Sequence, residues 1–405
     1  MTSASPVQHI ASWRDSLIQV RRDLHTHPEL GFEEHRTARL VCDYLAAHGI
    51  EHHAGVGRTG VVAVIPGRSD RSGRRTGLRA DMDALPLQEE TGAAWQSRYD
   101  GRMHGCGHDG HTTMLLGAAR YLNETRAFDG IAHLIFQPGE EGYAGAKAMI
   151  DDGLFERFPA DRVFALHNWP ALPAGKIGIT PGPAMAAADR IEIVIDGRGG
   201  HGAHPHLAVD PVLVAGHIIT AAQAIVSRSV NPLDTAVVSL CAMQAGNPAA
   251  MSVIPAHARL VGTVRTFRPA TQEMIERRLR ELVASIAAAF GASATIEYER
   301  VYPATLNHDA EARFAGDVAE AMIGSENVER NLDPSMGAED FAFMLQAKPG
   351  AFARLGQGGA EHGCFLHSSR YDFNDDVIAL GAGYLAALAE RSMPVEGMSV
   401  KGHEA

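Results

Sequence analysis

Along the first part of the chain, stretches with apolar residues at helical spacing alternate with short, continuous apolar runs. Residues 10–24 and 34–48 follow the period of a helix with one buried face, whereas Gly60–Pro66 and residues 77–81 are apolar runs bounded by Gly, Pro and charge, as strands are. The alternation continues with a predicted helix over 111–122, a strand over Ile131–Gln137, a helix near 146–150 and a strand over 162–167. This is the punctuation of an α/β sheet.

The pattern changes around the Pro- and Ala-rich stretch 181–188. Beyond it the periodicity predicts a strand (190–195), a helix (211–227), two strands (236–243 and 258–266), a helix (272–290) and a strand (294–299), a compact βαββαβ unit. Residues 310–323, 338–345 and 377–389 then read as helices. The expected fold class is α/β: an open-sheet domain built from residues 1–185 and 303–405, with a smaller α+β domain, 186–302, inserted into it.

The 405 residues suit two domains of ordinary size, and 45% hydrophobic with 21% charged residues is an ordinary globular balance. No apolar run approaches the roughly 20 residues of a membrane span. Residues 1–13 lack a basic region followed by an apolar stretch, so a cytoplasmic protein without a membrane partner is expected. A formal net charge of -12 argues against a nucleic-acid partner, because phosphate binding needs clustered Lys and Arg. Cys42, Cys106, Cys241 and Cys364 are scattered and form no disulfide framework.

Candidate chemistry gathers at the exits of predicted strands, the edge where open α/β sheets bind ligands. Asp81 and Asp83 close one run. Cys106 and His108 lie in His104-Gly105-Cys106-Gly107-His108-Asp109-Gly110-His111, just before a helix. Glu140 and Glu141 follow the strand ending at Gln137, and His167 ends the next. Thiolate, imidazole and carboxylate are the ordinary ligands of zinc and its neighbours. Any one such residue is ordinarily just packed in a fold; four successive strand exits carrying them point to a metal. A structural zinc knot would be richer in cysteine and built from close ligand pairs, so a catalytic metal fits better. Glu140 and Glu141, set between glycines, can divide the work: one carboxylate for metal, one for the water.

These residues resemble a known family, the co-catalytic metallohydrolases that include hippurate hydrolase, auxin-amino-acid-conjugate hydrolase and N-acyl-amino-acid amidohydrolase. The resemblance runs from Arg22-Asp23-Leu24-His25-Thr26-His27-Pro28-Glu29-Leu30, through the segments above and Gly199-Gly200-His201-Gly202-Ala203-His204-Pro205-His206, to Met336-Gly337-Ala338-Glu339-Asp340-Phe341 and Leu366-His367. It implies two divalent metal ions (Zn, Mn, Co or Ni) held by Cys106, His108, Glu141, His167 and His367. Glu140 would be the general base towards a water activated by the metals. His367 could not have been found from spacing alone. More distant relatives begin the site with His-x-Asp where this chain has Asp81-Met82-Asp83, so Asp81 and Asp83 are assigned to orienting the ligands, with a direct bond the lesser option.

The insert resembles the family's lid and dimerisation domain, which implies a homodimer. By the same analogy His201 or a nearby group would steady the oxyanion. Asn247 and Arg265 are candidates for holding the substrate carboxylate, with Arg259 and Arg268 as alternatives. The implied activity is metal-dependent hydrolysis of the amide bond of small N-acyl amino acids. A dipeptidase or carboxypeptidase using the same centre is the alternative within hydrolases, and a non-catalytic binding protein that keeps the fold is the alternative outside them.

Overall fold

The computed structural model describes residues 5–360 and 363–395. The chain falls into two compact units. One comprises the chain through Ala184, Leu306–Asp333 and the chain from Asp340; the other is Met185–Thr305 with Pro334–Glu339.

The first unit is an open, mixed sheet between helices. Its early strands are β1 (Glu51–Val56), β2 (Gly60–Pro66), β3 (Arg75–Asp81), β4 (Ile131–Gln137) and β5 (Arg162–Trp169). Across the sheet the order is β1, β2, β4, β3, β5, then Gly350–Gly356, Ile177–Gly178 and Val328–Glu329. β4, β3, β5 and Gly350–Gly356 run parallel and are buried almost throughout, as strands covered by helices on both faces must be. β4 lies on one side of β3 and β5 on the other, so the winding reverses at β3 and opens a crevice beyond its carboxyl end.

Four helices matter for that crevice: α1 (Pro6–Ala11), α2 (Arg14–Thr26), α3 (His35–Ala47) and α4 (His108–Thr125). α4 is buried over most of its length and packs against α2 and the helix Ile378–Ser392. One core holds Ile10 and Leu17 from the start of the chain together with Leu385 and Met393 from its end.

Several elements depart from the sequence reading. The single helix expected over 10–24 is two, broken at Ser12 and Trp13, where the Ser12 hydroxyl donates to His9 O at 2.6 Å and ends α1. The helix expected over 338–345 is Phe341–Ala347, because Asp340 spends its carboxylate on Arg79, Gln137 and the Ala146 amide. The strand Gly350–Gly356 had no counterpart in the reading: Arg354 interrupts its apolar run. That guanidinium is nonetheless buried, donating to Asp333 O at 3.0 Å and Ala184 O at 2.7 Å. The polar edge strand β1 was also missed. The helical stretch Pro211–Ser229 is, by length and composition, apolar enough to cross a membrane, contrary to the reading of the runs; within its unit its buried residues pack onto the sheet.

The second unit has a four-stranded antiparallel sheet in the order Ala236–Ala245, His257–Thr266, Ala187–Asp196, Ser293–Tyr302. With the helices Pro211–Ala224 and Pro269–Ala289 on it, this is the βαββαβ order read from the periodicity. The strand His257–Thr266 alternates buried and less buried positions, because only one face meets the helices.

Candidate metal centre

The parallel strands and the start of α4 deliver the candidate side chains. Asp81 is the last residue of β3, paired in register with Gln137 of β4; Asp83 lies two residues on. Cys106 and His108 flank Gly107, whose φ of 90° lets the chain turn sharply into α4. Glu140 and Glu141 sit in the turn after β4, and His167 lies near the end of β5. His367 comes from beyond the insert. Its φ of 62° is unusual for a non-glycine residue, and its amide donates to Gly105 O at 2.8 Å, which stitches its loop to the Cys106 loop.

The structure brings the five expected ligands together. Donor atoms of Cys106, His108 and His167 lie within 4.8 Å of one another, as do those of Cys106, Glu141 and His367 and those of His108, Glu140 and Glu141. Cys106 Sγ is 3.5 Å from His167 Nε2, and His367 Nε2 is 3.1 Å from Glu141 Oε1. Asp83 works on the surroundings: it takes His108 Nδ1 at 3.3 Å and accepts the amides of Glu140 at 3.0 Å and Glu141 at 2.9 Å. Asp81 accepts from His111 Nδ1 at 2.6 Å and from Arg79 at 2.7 Å, and its Oδ2 is 3.7 Å from His108 Nε2. Asp81, His108 and His111 also form a group with metal-ligand spacing.

Four observations show that a cation fits. His108 Nε2 is buried with no hydrogen-bond partner among the described residues, while its other ring nitrogen is held by a carboxylate, the arrangement that aims an imidazole at a metal. Burial and the carboxylates Glu141, Glu140 and Asp81 push the Cys106 thiol well above its usual range. Burial would lower His108, but Asp81, Asp83 and Glu141 overcome it and hold the imidazole up to about 10. His167, buried beside His111 and His108, is pushed well below its ordinary value and stays neutral, ready to coordinate. The site holds more negative charge than its own side chains balance, and divalent ions would take the place of those protons.

The sequence reading gave no role to several residues that complete this arrangement. His111, one turn into α4, joins Asp81 to Asn168, whose amide lies 3.0 Å from His111 Nε2. Asp340 turns its amide towards Glu140 Oε1 at 3.3 Å. The only sequence signal for His111 is its place three residues after His108, and for Asp340 its place in Met336-Gly337-Ala338-Glu339-Asp340-Phe341.

His201, Asn247 and Arg265 belong to the second unit. His201 is exposed in a two-residue strand paired with Val253, its Nδ1 accepting the Ala203 amide at 3.0 Å. Asn247 accepts the Ala249 amide at 2.9 Å across a turn. Arg265 is half-buried and makes no ion pair among the described residues, donating to Thr263 and to Val264 O. Arg259 and Arg268 are already paired, with Glu192 at 2.5 Å and Asp234 at 2.8 Å.

Comparison with known proteins agrees in sequence and in fold. The chain is 44% identical to hippurate hydrolase of Campylobacter jejuni over 371 residues, 92% of this chain and 95% of that protein. It is 40% identical to N-acetylcysteine deacetylase of Bacillus subtilis, over 92% of this chain and 96% of that one. The crystal structure of the Bacillus subtilis YXEP protein, a dinuclear metal binding peptidase, superposes with a TM-score of 0.82 at 35% identity, covering 95% of this chain and 99% of that one. With residues 77–391 matching its family model, the chain belongs to peptidase family M20/M25/M40.

Proposed function

We propose that this protein hydrolyses the amide bond of small N-acyl amino acids with divalent metal ions. The observation that carries the reading is the gathering of the buried Cys106, His108 and His167 with Glu141 and His367 around Glu140, in a chain that matches hippurate hydrolase of Campylobacter jejuni over 92% of its length. The five side chains would hold two ions per chain, Zn, Mn, Co or Ni by donor type. When bound, such ions acidify water and polarise an acyl carbonyl.

The remaining steps belong to the protein. Glu140 takes a proton from the water as its oxygen bonds to the acyl carbon, then gives that proton to the amide nitrogen as the C–N bond breaks, releasing a carboxylate and an amine. Its backbone is held by Asp83 and its carboxylate is approached by the Asp340 amide, so the base is positioned before substrate arrives. Asp81 and Asp83 orient ligating groups. The insert, 186–302, serves as lid and dimerisation domain of a cytoplasmic homodimer, with His201 at the oxyanion and Arg265 with Asn247 at the substrate carboxylate. Arg265 suits that task better than its neighbours, because its guanidinium carries no carboxylate partner among the described residues.

A panel of hippurate, N-acetyl amino acids and dipeptides, run on apo-protein reloaded with each metal, tests the reading. N-acyl amino acids should be the faster substrates; exclusive cleavage of dipeptides would assign a peptidase instead. Glu140→Gln should lose about 100- to 10,000-fold in kcat while retaining its metal. Near-normal turnover in that variant would remove Glu140 from the mechanism.

A further inference from the structure

We infer that Glu34 is a positioning residue for the catalytic carboxylates, acting through the backbone of the turn that carries them. The inference rests on the role proposed for Glu140.

The turn Gly139-Glu140-Glu141-Gly142 is conformationally demanding: Gly139 has φ 57°, Gly142 φ 90° and Ala144 φ 55°. A turn of this kind points successive amides the same way and makes a concavity for anions. Here three consecutive amides are taken by two carboxylates of the protein itself. Asp83 accepts from Glu140 and Glu141, and Glu34 Oε1 accepts from Gly139 at 2.7 Å. The Glu34 bond is the shortest of the three, and Glu34 comes from more than a hundred residues earlier in the chain.

Glu34 has been released from the task its position suggests. It is the N-cap of α3, where a side chain ordinarily accepts amides of its own helix, yet it makes no such bond. Glu29 does so instead, accepting the amides of Arg36 at 3.0 Å and Thr37 at 2.8 Å. Glu34 is fully buried, and its second oxygen accepts from the Thr59 hydroxyl at 2.5 Å. No Lys, Arg or His pairs with it among the described residues. A buried carboxylate without a cation is costly, and burial with the nearby charge of Asp83 pushes its pKa up to about 7. The same segment also packs on the turn: the Phe32 ring lies edge-on to Tyr143 at 5.9 Å, and a Cβ on Gly31 would strike Tyr143 at 2.3 Å. Residues 31–34 therefore clamp the turn through both apolar and polar contacts. The polar contact sits one residue before Glu140, where a change in backbone angle swings the base.

The experiment compares Glu34→Ala, which removes the acceptor, with Glu34→Gln, which keeps an amide oxygen for Gly139. Expected for Glu34→Ala are a fall in kcat of about 10-fold or more, a KM within about twofold, and wild-type metal content. Glu34→Gln should recover most of kcat. Amide hydrogen exchange across residues 139–142 should quicken at least about 10-fold in Glu34→Ala relative to the strand Ile131–Gln137, and far less in Glu34→Gln. Unchanged exchange in the Ala variant overturns the inference, as does a kcat loss that tracks metal loss and is not recovered by Gln. If exchange behaves as expected but the wild-type enzyme ignores N-acyl amino acids and Glu140→Gln changes nothing, the fault lies with the proposed function and not with the clamp.

Discussion

His25 shows what a single residue can contribute away from the reacting atoms. It is buried between Asp109 Oδ2 at 2.8 Å and Glu89 Oε1 at 3.2 Å, and Asp109 is the neighbour of His108 at the start of α4. Burial alone would strip its proton, but the bonds to Asp109 and Glu89 prevail and hold it up to about 9. A histidine whose folded pKa exceeds its unfolded value adds stability that is fully present below about 6.5 and fades as pH rises through about 9. Thermal melts of wild type should therefore lose stability across that window more steeply than melts of His25→Gln, with the two converging at the alkaline end. Parallel curves would show that His25 carries no such charge. In the sequence His25 is marked only by the family-like run over residues 22–30, because a histidine on the buried face of a helix looks like packing until its two carboxylate partners are seen.

At the scale of elements, the entry to α4 is the most constrained point of the centre. A Cβ on Gly107 would lie 2.4 Å from the Tyr371 hydroxyl and 2.5 Å from Asn168 Oδ1, and its φ of 90° is one that L side chains rarely adopt. Gly107→Ala should push Cys106 and His108 apart and weaken metal affinity by about 10- to 100-fold, read by metal titration of the apo-protein. Unaltered affinity would mean that the two residues need no fixed separation. The sequence made the positions around this helix legible because glycine and metal-type side chains coincide at strand exits. It was silent on the strand Gly350–Gly356, where a buried arginine breaks the apolar run, and on His111 and Asp340, whose partners lie on other elements. His367 entered only through resemblance, because no strand exit marks its loop.

On the scale of the whole chain, the candidate ligands lie on both sides of the insert in sequence, from Cys106 to His367, yet all belong to one discontinuous unit. The unfolded chain holds no such site, so metal binding adds to the folding free energy of that unit, by about 2.7 kcal/mol when free metal is 100 times its Kd. Chelation should lower Tm, and reloading should restore it. His367→Ala separates this coupling from general charge neutralisation, because His367 is largely exposed and its loss removes little packing. In that variant the apo-protein should melt near the wild-type temperature while the gain on metal addition shrinks. An undiminished gain would place His367 outside the coordination shell.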